Sequence, residues 1–358
     1  MADRRSFLAG IVAAGLCPRT TWAEAGSPAF LSAGLKSSGA YVLCGLSARG
    51  QVLFELPLPA RGHAAAAHPD RAEAVAFARR PGTFALVIDC VSGQQRTRLT
   101  APEGRHFYGH GAFSRDGALL YTAENDFEAG QGMIGIWNAR NGYRRLGEFA
   151  SGGVGPHDIK LMPDGKSLVV ANGGIETHPD SGRTKLNIPT MRPNLTYLGL
   201  EGDIQHWIEL DAVLHKNSIR HLAVADDGTV AFAMQWQGDL SAHPPLLGLC
   251  RPDKSVTLLS AQADVHKHMS GYAGSVAISG DMMQVAITSP RGGVCQVFDM
   301  GSGQLANEVR IEDVCGLAPN GSGFEMTSGA GLLARFAAGN ATPQFTHAIR
   351  WDNHLIPI

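Results

Sequence analysis

A histidine, a short apolar run, an Asp-Gly pair and a second apolar run recur in this order along the 358-residue chain. The pattern is clearest in three segments, whose histidines and Asp-Gly pairs are His110 with 116–117, His157 with 164–165 and His221 with 227–228. Asp-Gly between apolar runs is a strong hairpin signal, because glycine adopts the positive φ angle that a tight turn requires. Each segment is therefore predicted to form two antiparallel strands. We call the position of the histidine the slot.

The same frame fits three further segments, whose slots hold His63, Ser275 and Gly316. Successive slots are 47 residues apart from 63 to 110 and from 110 to 157, and then 64, 54 and 41 residues apart. In three of these units an Asp or Asn four residues before a glycine predicts the end of a third strand; these residues are Asp89, Asn138 and Asp299. Units of about 40–50 residues with four strands each are typical of β-propeller blades.

A seventh slot, His354, precedes a short apolar stretch at the C-terminus. The strands that this last unit lacks are predicted near the N-terminus, in PAFLSAGL, AYVLCGL and QVLFELPLP. A ring closed by strands from both termini leaves no unpaired sheet edge. The sequence thus predicts an all-β fold, a seven-bladed β-propeller. Six blades are the first alternative, and a β-sandwich is a more distant one.

Five of the seven slots hold histidine: His63, His110, His157, His221 and His354. In a propeller the first strand of each blade lines the central channel, so these side chains are expected to approach one another. Two interpretations remain open. Either each imidazole forms hydrogen bonds within its own blade, or several converge on a ligand. A metal is the leading ligand, iron or copper above all, because neutral imidazole binds such ions well. A seven-fold ring is wide, so the arc of His63, His110 and His157 is a sufficient set.

The longest spacing between slots indicates an inserted loop at residues 175–200. Loops between blades tolerate insertions and often carry function. This loop contains four polar side chains that would contact a ligand or partner if it covered the channel mouth: His178, Asp180, Arg183 and Lys185. A solvated loop is the alternative.

The first 23 residues are typical of an export signal. Arg4 and Arg5 precede Phe7 and Leu8 in the arrangement RRxFL, an apolar stretch follows at 7–16, and Ala23 ends a small-residue cleavage site. This arrangement indicates the twin-arginine route, which exports folded proteins. We therefore expect residues 1–23 to be removed and residues 24–358 to form one periplasmic propeller domain.

Composition argues against several classes of function. The net charge is only −2 and no Lys/Arg block is present, so nucleic-acid binding is not expected. No other apolar stretch approaches the ~20 residues of a membrane span, so the mature chain is predicted to have none. We find no Walker loop, GxSxG or HExxH motif. The five cysteines after the signal are widely spaced and odd in number, which favours buried free thiols over a disulfide framework.

Several of these segments together resemble an exported bacterial family catalogued as domain of unknown function 1513. They are GHGAFSRDGALLYTAEND, GVGPHDIKLMPDGKSLVVANGGIETHPDSGRTKLN, SIRHLAV, TSPRGG and WDNHL. The resemblance implies a WD40-like propeller with a twin-arginine signal. It also implies a role in iron acquisition, since genes of this family often lie near imelysin-like, iron-regulated periplasmic proteins. No catalytic residues are agreed for this family. The matched segments include His110, His157, His178, His221 and His354.

Three functions follow as hypotheses. The first is a periplasmic, non-catalytic propeller in iron uptake or handling, which binds metal or a metal-loaded periplasmic partner at a histidine-lined channel mouth. The second is an interaction scaffold with structural histidines. The third is an enzyme with a channel metal, similar to lactonases or dehydrogenases. A non-catalytic role is favoured, and fold alone does not decide among them.

Overall fold

The computed structural model describes residues 20–79, 83–182 and 184–358, and within them the chain forms seven antiparallel sheets. These sheets are the blades of a propeller, numbered along the chain. Blade 1 combines strands from both ends of the chain: β1 (Phe30–Lys36), β2 (Tyr41–Leu46), β3 (Val52–Leu58), β28 (Ile349–Trp351) and β29 (Ile356–Pro357). The predicted all-β, seven-bladed fold is confirmed, and the six-bladed alternative is not.

The other six blades have four strands each. Blade 2 contains β4 (Gly62–Ala67), β5 (Glu73–Ala78), β6 (Ala85–Asp89) and β7 (Gln95–Leu99). Blade 3 contains β8 (Arg105–Phe113), β9 (Leu119–Asp126), β10 (Gln131–Asn138) and β11 (Arg144–Ala150). Blade 4 contains β12 (Pro156–Leu161), β13 (Ser167–Asn172), β14 (Asn194–Gly199) and β15 (Ile204–Glu209).

Blades 5 to 7 complete the ring. Blade 5 contains β16 (Asn217–Val224), β17 (Val230–Trp236), β18 (Leu247–Cys250) and β19 (Val256–Leu259). Blade 6 contains β20 (Ser275–Ile278), β21 (Gln284–Ser289), β22 (Val294–Asp299) and β23 (Leu305–Arg310). Blade 7 contains β24 (Val314–Asn320), β25 (Gly323–Ser328), β26 (Leu332–Ala337) and β27 (Asn340–Thr346).

Within residues 20–79, 83–182 and 184–358, the helices are short segments between strands. One four-residue α-helix, α1, spans Ala263–His266. The 3₁₀ helices are Pro179–Ser181, Ile188–Thr190, Ala212–Leu214, Leu240–Ala242 and Lys267–Met269. No helix in the described part of the chain has the length and apolar character to cross a bilayer.

Strands from the two termini close the ring, as predicted. Residues Gly34–Lys36 of β1 pair with β28, and Phe30 and Leu31 pair with β29. The sequence indicated only the last of these pairings; β28 is an additional piece of the same inner strand, and His354 lies between the two pieces. Each inner strand contacts the inner strand of the next blade all the way round, from β4 through β8, β12, β16, β20 and β24 to β29.

The core lies between the blades, because each blade is apolar on both faces. Phe77 of blade 2 and Phe107 of blade 3 illustrate this packing, with ring centroids 6.2 Å apart. Trp137 extends the same cluster at 6.2 Å from Phe107, and its indole N–H donates to Thr122 Oγ1 at 2.9 Å. Burial on both faces explains why near-continuous apolar runs mark these strands.

The chain between β13 and β14 forms the longest loop, at residues 173–193. Residues 194–199, which the sequence assigned to the end of the inserted loop, instead form β14 and are all buried. The strand is needed there because β15 has no other partner in its blade.

Residues 20–29 precede β1 and contact blade 2. The Trp22 indole N–H donates to the backbone oxygen of His68 at 2.8 Å, and the Ala72 N–H donates to the Thr20 oxygen at 2.9 Å. Removal of residues 1–23 remains a prediction, since most of the predicted signal, residues 1–19, lies outside the described residues.

Candidate metal centre

All five slot histidines meet on the propeller axis. We call them the histidine centre: His63, His110, His157, His221 and His354. Eight pairs of their rings have centroids 4.6–5.9 Å apart, including His63 and His354 at 4.6 Å and His157 and His221 at 4.7 Å. The predicted convergence is therefore observed, and it includes the whole set and not only the arc of His63, His110 and His157.

Irregularities in the inner strands turn these side chains toward the axis. The register of β4, β8, β12 and β16 shifts at the slot; in β16, for example, Ile219 pairs with Met234 but His221 with Ala233, so that Arg220 is the extra residue of a bulge. A β-bulge bends its strand and re-aims side chains, and bulges are frequent at functional sites. In blade 1, His354 lies in the interruption between β28 and β29. Five imidazoles thus lie side by side inside a propeller of seven blades.

The two remaining slots contribute no side chain to the centre, for different reasons. Ser275 begins β20, whose pairing with β21 is regular. Gly316 lies in a bulge of β24, but a Cβ atom there would lie 2.4 Å from Thr327 Oγ1 and 3.0 Å from the Leu355 backbone nitrogen. Gly316 therefore leaves room for the segment that carries His354.

Gly109 plays a similar part for His63. Its φ angle is +102°, and a Cβ atom at this position would lie 2.5 Å from His63 Cδ2. The glycine therefore permits both the backbone conformation before His110 and the close approach of the His63 ring.

A buried carboxylate orients His110. Asp158 Oδ1 lies 3.1 Å from His110 Nδ1, and Asp158 Oδ2 accepts the Leu222 N–H at 2.9 Å. Burial raises the pKa of Asp158, but Lys160 and His110 outweigh this effect, so that the pKa lies well below its ordinary value. An ionised carboxylate only accepts hydrogen bonds, so His110 Nδ1 donates to Asp158 and Nε2 is the ring nitrogen that faces the centre.

The Nε2 atom of His110 faces an imidazole nitrogen of another slot histidine. His110 Nε2 lies 3.3 Å from His63 Nε2. Two nitrogen ligands about 2.0–2.1 Å from a tetrahedral ion lie about 3.3–3.4 Å apart, so this separation fits two ligands of one ion. Among the described residues, two groups of three bring their ligand atoms within 4.8 Å of one another: His63, His110 and His354, and His110, His157 and His221.

The other four histidines each have a buried ring nitrogen without a hydrogen-bond partner. These atoms are His63 Nδ1, His157 Nδ1, His221 Nδ1 and His354 Nε2. Leaving a buried polar atom unpaired costs about 1–3 kcal/mol. Burial lowers the pKa of all four imidazoles well below the ordinary value, and neighbouring histidines add to the effect. The four rings are therefore neutral at neutral pH, which is the state that binds metal.

The histidine centre separates two cavities along the axis. The first, the mouth cavity, measures about 540 Å³ and is bordered by His63, His157 and His221. The second, the lower cavity, measures about 350 Å³ and is bordered by Asp158, Lys160, His221 and His354, with mostly apolar residues beyond them. Four of the five histidines thus border a cavity, and His221 borders both.

Of the four loop residues predicted to contact a ligand, one borders the mouth cavity. Lys185 lines it and donates to Gln237 Oε1. His178 instead caps the short helix at 179–181 by accepting the Asp180 N–H at 3.2 Å, and the Asp180 side chain is 91% exposed. Arg183 lies outside the described residues. The loop reaches the mouth, therefore, but its first turn is held by local hydrogen bonds.

Sequence reasoning missed several residues around the centre. Asp158 and Arg220 directly follow or precede slot histidines in the sequence, but the bulges that bring them near the axis appear only in the structure. Three further residues that line the mouth cavity lie in loops whose course the recurring pattern did not predict. They are Arg79, Tyr272 and Arg291.

Comparisons with known proteins support the fold. Residues 56–358, most of the chain, match the family model described as "Protein of unknown function (DUF1513)". Among solved structures, hydrazine synthase from Kuenenia stuttgartiensis is similar, with a TM-score of 0.61 and 13% sequence identity over 86% of this chain and 90% of that one. At this identity the likeness concerns the fold alone. No curated protein matches the chain.

Proposed function

This chain belongs to the DUF1513 family, and we propose that its histidine centre binds one transition-metal ion. The observation that carries the proposal is the convergence of five imidazoles on the axis, with His110 Nε2 and His63 Nε2 at 3.3 Å. Asp158 adds the carboxylate–histidine pair that commonly orients a metal ligand. In four of the five histidines, one ring nitrogen is buried without a hydrogen-bond partner.

The alternative, histidines that only stabilise their own blades, agrees less well with these contacts. A structural histidine of that kind forms hydrogen bonds within its blade, as His68 does by accepting the Asp70 and Arg71 N–H groups at 3.1 Å. The five histidines of the centre face one another, and four of them have an unpaired buried nitrogen.

The donor set limits which ion is bound. Imidazole nitrogen suits iron, copper, zinc and nickel, whereas calcium and magnesium prefer oxygen. His110 offers one ring nitrogen, Nε2, to an ion, because its other nitrogen faces Asp158. The two groups of three share His110, so they are alternative parts of one site and the expected stoichiometry is one ion per chain.

For the cell we propose a non-catalytic role in iron uptake or handling in the periplasm. The RRxFL segment at the N-terminus and the resemblance to a family encoded near iron-regulated proteins support this part of the proposal. Either an ion or a metal-loaded periplasmic protein would be the partner. Copper remains the second candidate ion, since imidazole sites bind it most tightly among the divalent ions.

Metal analysis of protein purified from its native cells without a polyhistidine tag tests the proposal. We expect about one transition-metal ion per chain, and loss of that ion in the double variant His110→Ala/His157→Ala. The matched control is His206→Ala/His215→Ala, which removes two histidines on blade 4 and the loop after it. Absence of metal, together with failure to bind iron, copper or zinc in titration, would refute metal binding and leave the scaffold hypothesis. Turnover of a lactone, peroxide or amine substrate would contradict the non-catalytic role.

A further inference from the structure

The mouth cavity above the histidine centre has an unusual charge distribution. Four cationic side chains line it: Arg79, Lys185, Arg220 and Arg291. No aspartate or glutamate of the described residues borders it. Below the centre, the lower cavity is bordered by one carboxylate, Asp158, and one cation, Lys160. The approach from the mouth therefore carries a positive potential although the chain as a whole is slightly negative.

The four cations come from four different places around the ring. Arg79 follows β5 in blade 2, Lys185 belongs to the loop of blade 4, Arg220 lies in β16 of blade 5 and Arg291 follows β21 in blade 6. Positive charge is therefore spread around the rim. A ligand with several separated negative groups matches this arrangement better than a compact anion with one centre of charge.

Contacts on the rim hold some of these cations in place. Arg79 Nη1 donates to the buried Asp352 Oδ1 at 2.8 Å, and Arg61 Nε donates to the other oxygen of the same carboxylate at 2.5 Å. Two guanidinium groups thus share the single carboxylate of Asp352. The Arg291 guanidinium lies over the Tyr272 ring, 4.4 Å from its centroid.

The remaining lining suits a small organic molecule. Gln235, Gln237 and Asn353 offer amide groups, and Trp236 and Tyr272 offer aromatic surface. A volume of about 540 Å³ lies within the usual range for small-molecule sites. Fields of one sign focused in a cleft attract ligands of the opposite sign and repel those of the same sign. A bare cation is therefore repelled on this path, whereas an anion or an anionic metal complex is attracted.

We propose that the mouth cavity binds a small organic polycarboxylate. Its carboxylates pair with the rim cations, and its body rests against the aromatic residues. Where the cavity meets His63, His157 and His221, one carboxylate is placed to join the coordination of the ion. This coordination rests on the proposed function, whereas the anion site itself does not.

Calorimetric titration of the metal-free protein with propane-1,2,3-tricarboxylate tests the anion site separately from the metal. We expect saturable binding of one anion that weakens as salt is raised. Arg291→Gln should weaken it at least tenfold, and Arg98→Gln, on the outer strand β7 away from the mouth, should leave it unchanged. Phosphate and sulfate, tested in parallel, should bind at least tenfold more weakly than the tricarboxylate.

The outcomes separate the two proposals. No binding of the tricarboxylate, equal effects of Arg291→Gln and Arg98→Gln, or equal affinity for sulfate or phosphate would overturn the polycarboxylate site. Metal content of the wild type, measured on the same preparation before metal removal, tests the histidine centre separately from the anion site. If anions bind but the wild type holds no metal, the anion site stands and the metal proposal fails.

Discussion

At the scale of single residues, the centre depends on a few groups that hold the imidazoles in place. Asp158 is a positioning residue, because it would act on the ion only through His110. Gly109 is needed for space and for its backbone conformation. Both lie beside slot histidines in the sequence, yet neither belongs to the repeating pattern that predicted the histidines.

Asp158→Asn should lower metal affinity about 10–100-fold, the usual effect of removing an outer-shell carboxylate. The amide keeps the shape of the side chain but loses the negative charge, so the tautomer and basicity of His110 are no longer enforced. A competition titration with a metal chelator measures the effect. Asp226→Asn, an exposed carboxylate in the turn before β17, is the control. Equal affinities of the two variants would contradict the assignment of Asp158.

Gly109→Ala should displace His63 and reduce both metal affinity and thermal stability. Gly39→Ala is the matched control, because Gly39 also has a positive φ angle, +86°, but nothing lies within 4 Å of the added Cβ atom. Gly39→Ala is expected to cost about 1 kcal/mol from backbone strain alone, without effect on metal. If Gly109→Ala bound metal as well as Gly39→Ala does, the close contact with His63 would be unimportant.

At the scale of strands, closure of blade 1 ties the centre to the C-terminus. β28 and β29 flank His354, and Leu355 between them is 2% exposed. The segment is short, so its position depends on pairing with β1 and on this buried side chain.

Leu355→Ala should destabilise the protein by about 2–4 kcal/mol, the usual effect of emptying a buried leucine site. Because the cavity adjoins His354, metal affinity should fall as well. Denaturant unfolding and metal titration test the two effects, with the 41%-exposed Ile358→Ala as the control. Loss of stability with unchanged affinity would show that His354 is not needed as a ligand.

Much of the strand pattern was predictable because each blade repeats one local signal. The Asp-Gly hairpins and the terminal Asp or Asn of the third strand lie where expected; Asp89, for instance, ends β6 and accepts the Val91 and Ser92 N–H groups at 3.0 and 2.9 Å. The bulges were not predictable, since register depends on cross-strand partners that a single segment does not reveal. β28 was missed because three residues carry too little periodicity.

At the scale of the whole molecule, the ring brings the five histidines together, although His63 and His354 are 291 positions apart. The sequence predicted this convergence through topology. It did not predict the cationic mouth cavity, because the residues that line it come from loops of several blades and share no spacing. The five cysteines, predicted to be buried free thiols, are all buried and free: Cys44, Cys90, Cys250, Cys295 and Cys315.

These thiols should not react in the native protein. Burial raises the pKa of Cys44, Cys90, Cys295 and Cys315 to about 12, so almost no nucleophilic thiolate forms at neutral pH. Iodoacetamide followed by peptide mapping should find all five unmodified in native protein and all five modified in denaturant. Modification of Cys295 in the folded protein would contradict the packing between blades 6 and 7.

X-ray absorption of the metal-loaded protein tests the existence of the histidine centre most directly. We predict a first shell dominated by nitrogen, with the outer-shell scattering of at least three imidazole rings, and loss of that scattering in His110→Ala/His157→Ala. A first shell of oxygen without imidazole scattering, or a spectrum that the double substitution leaves unchanged, would show that the five rings meet on the axis without holding the ion.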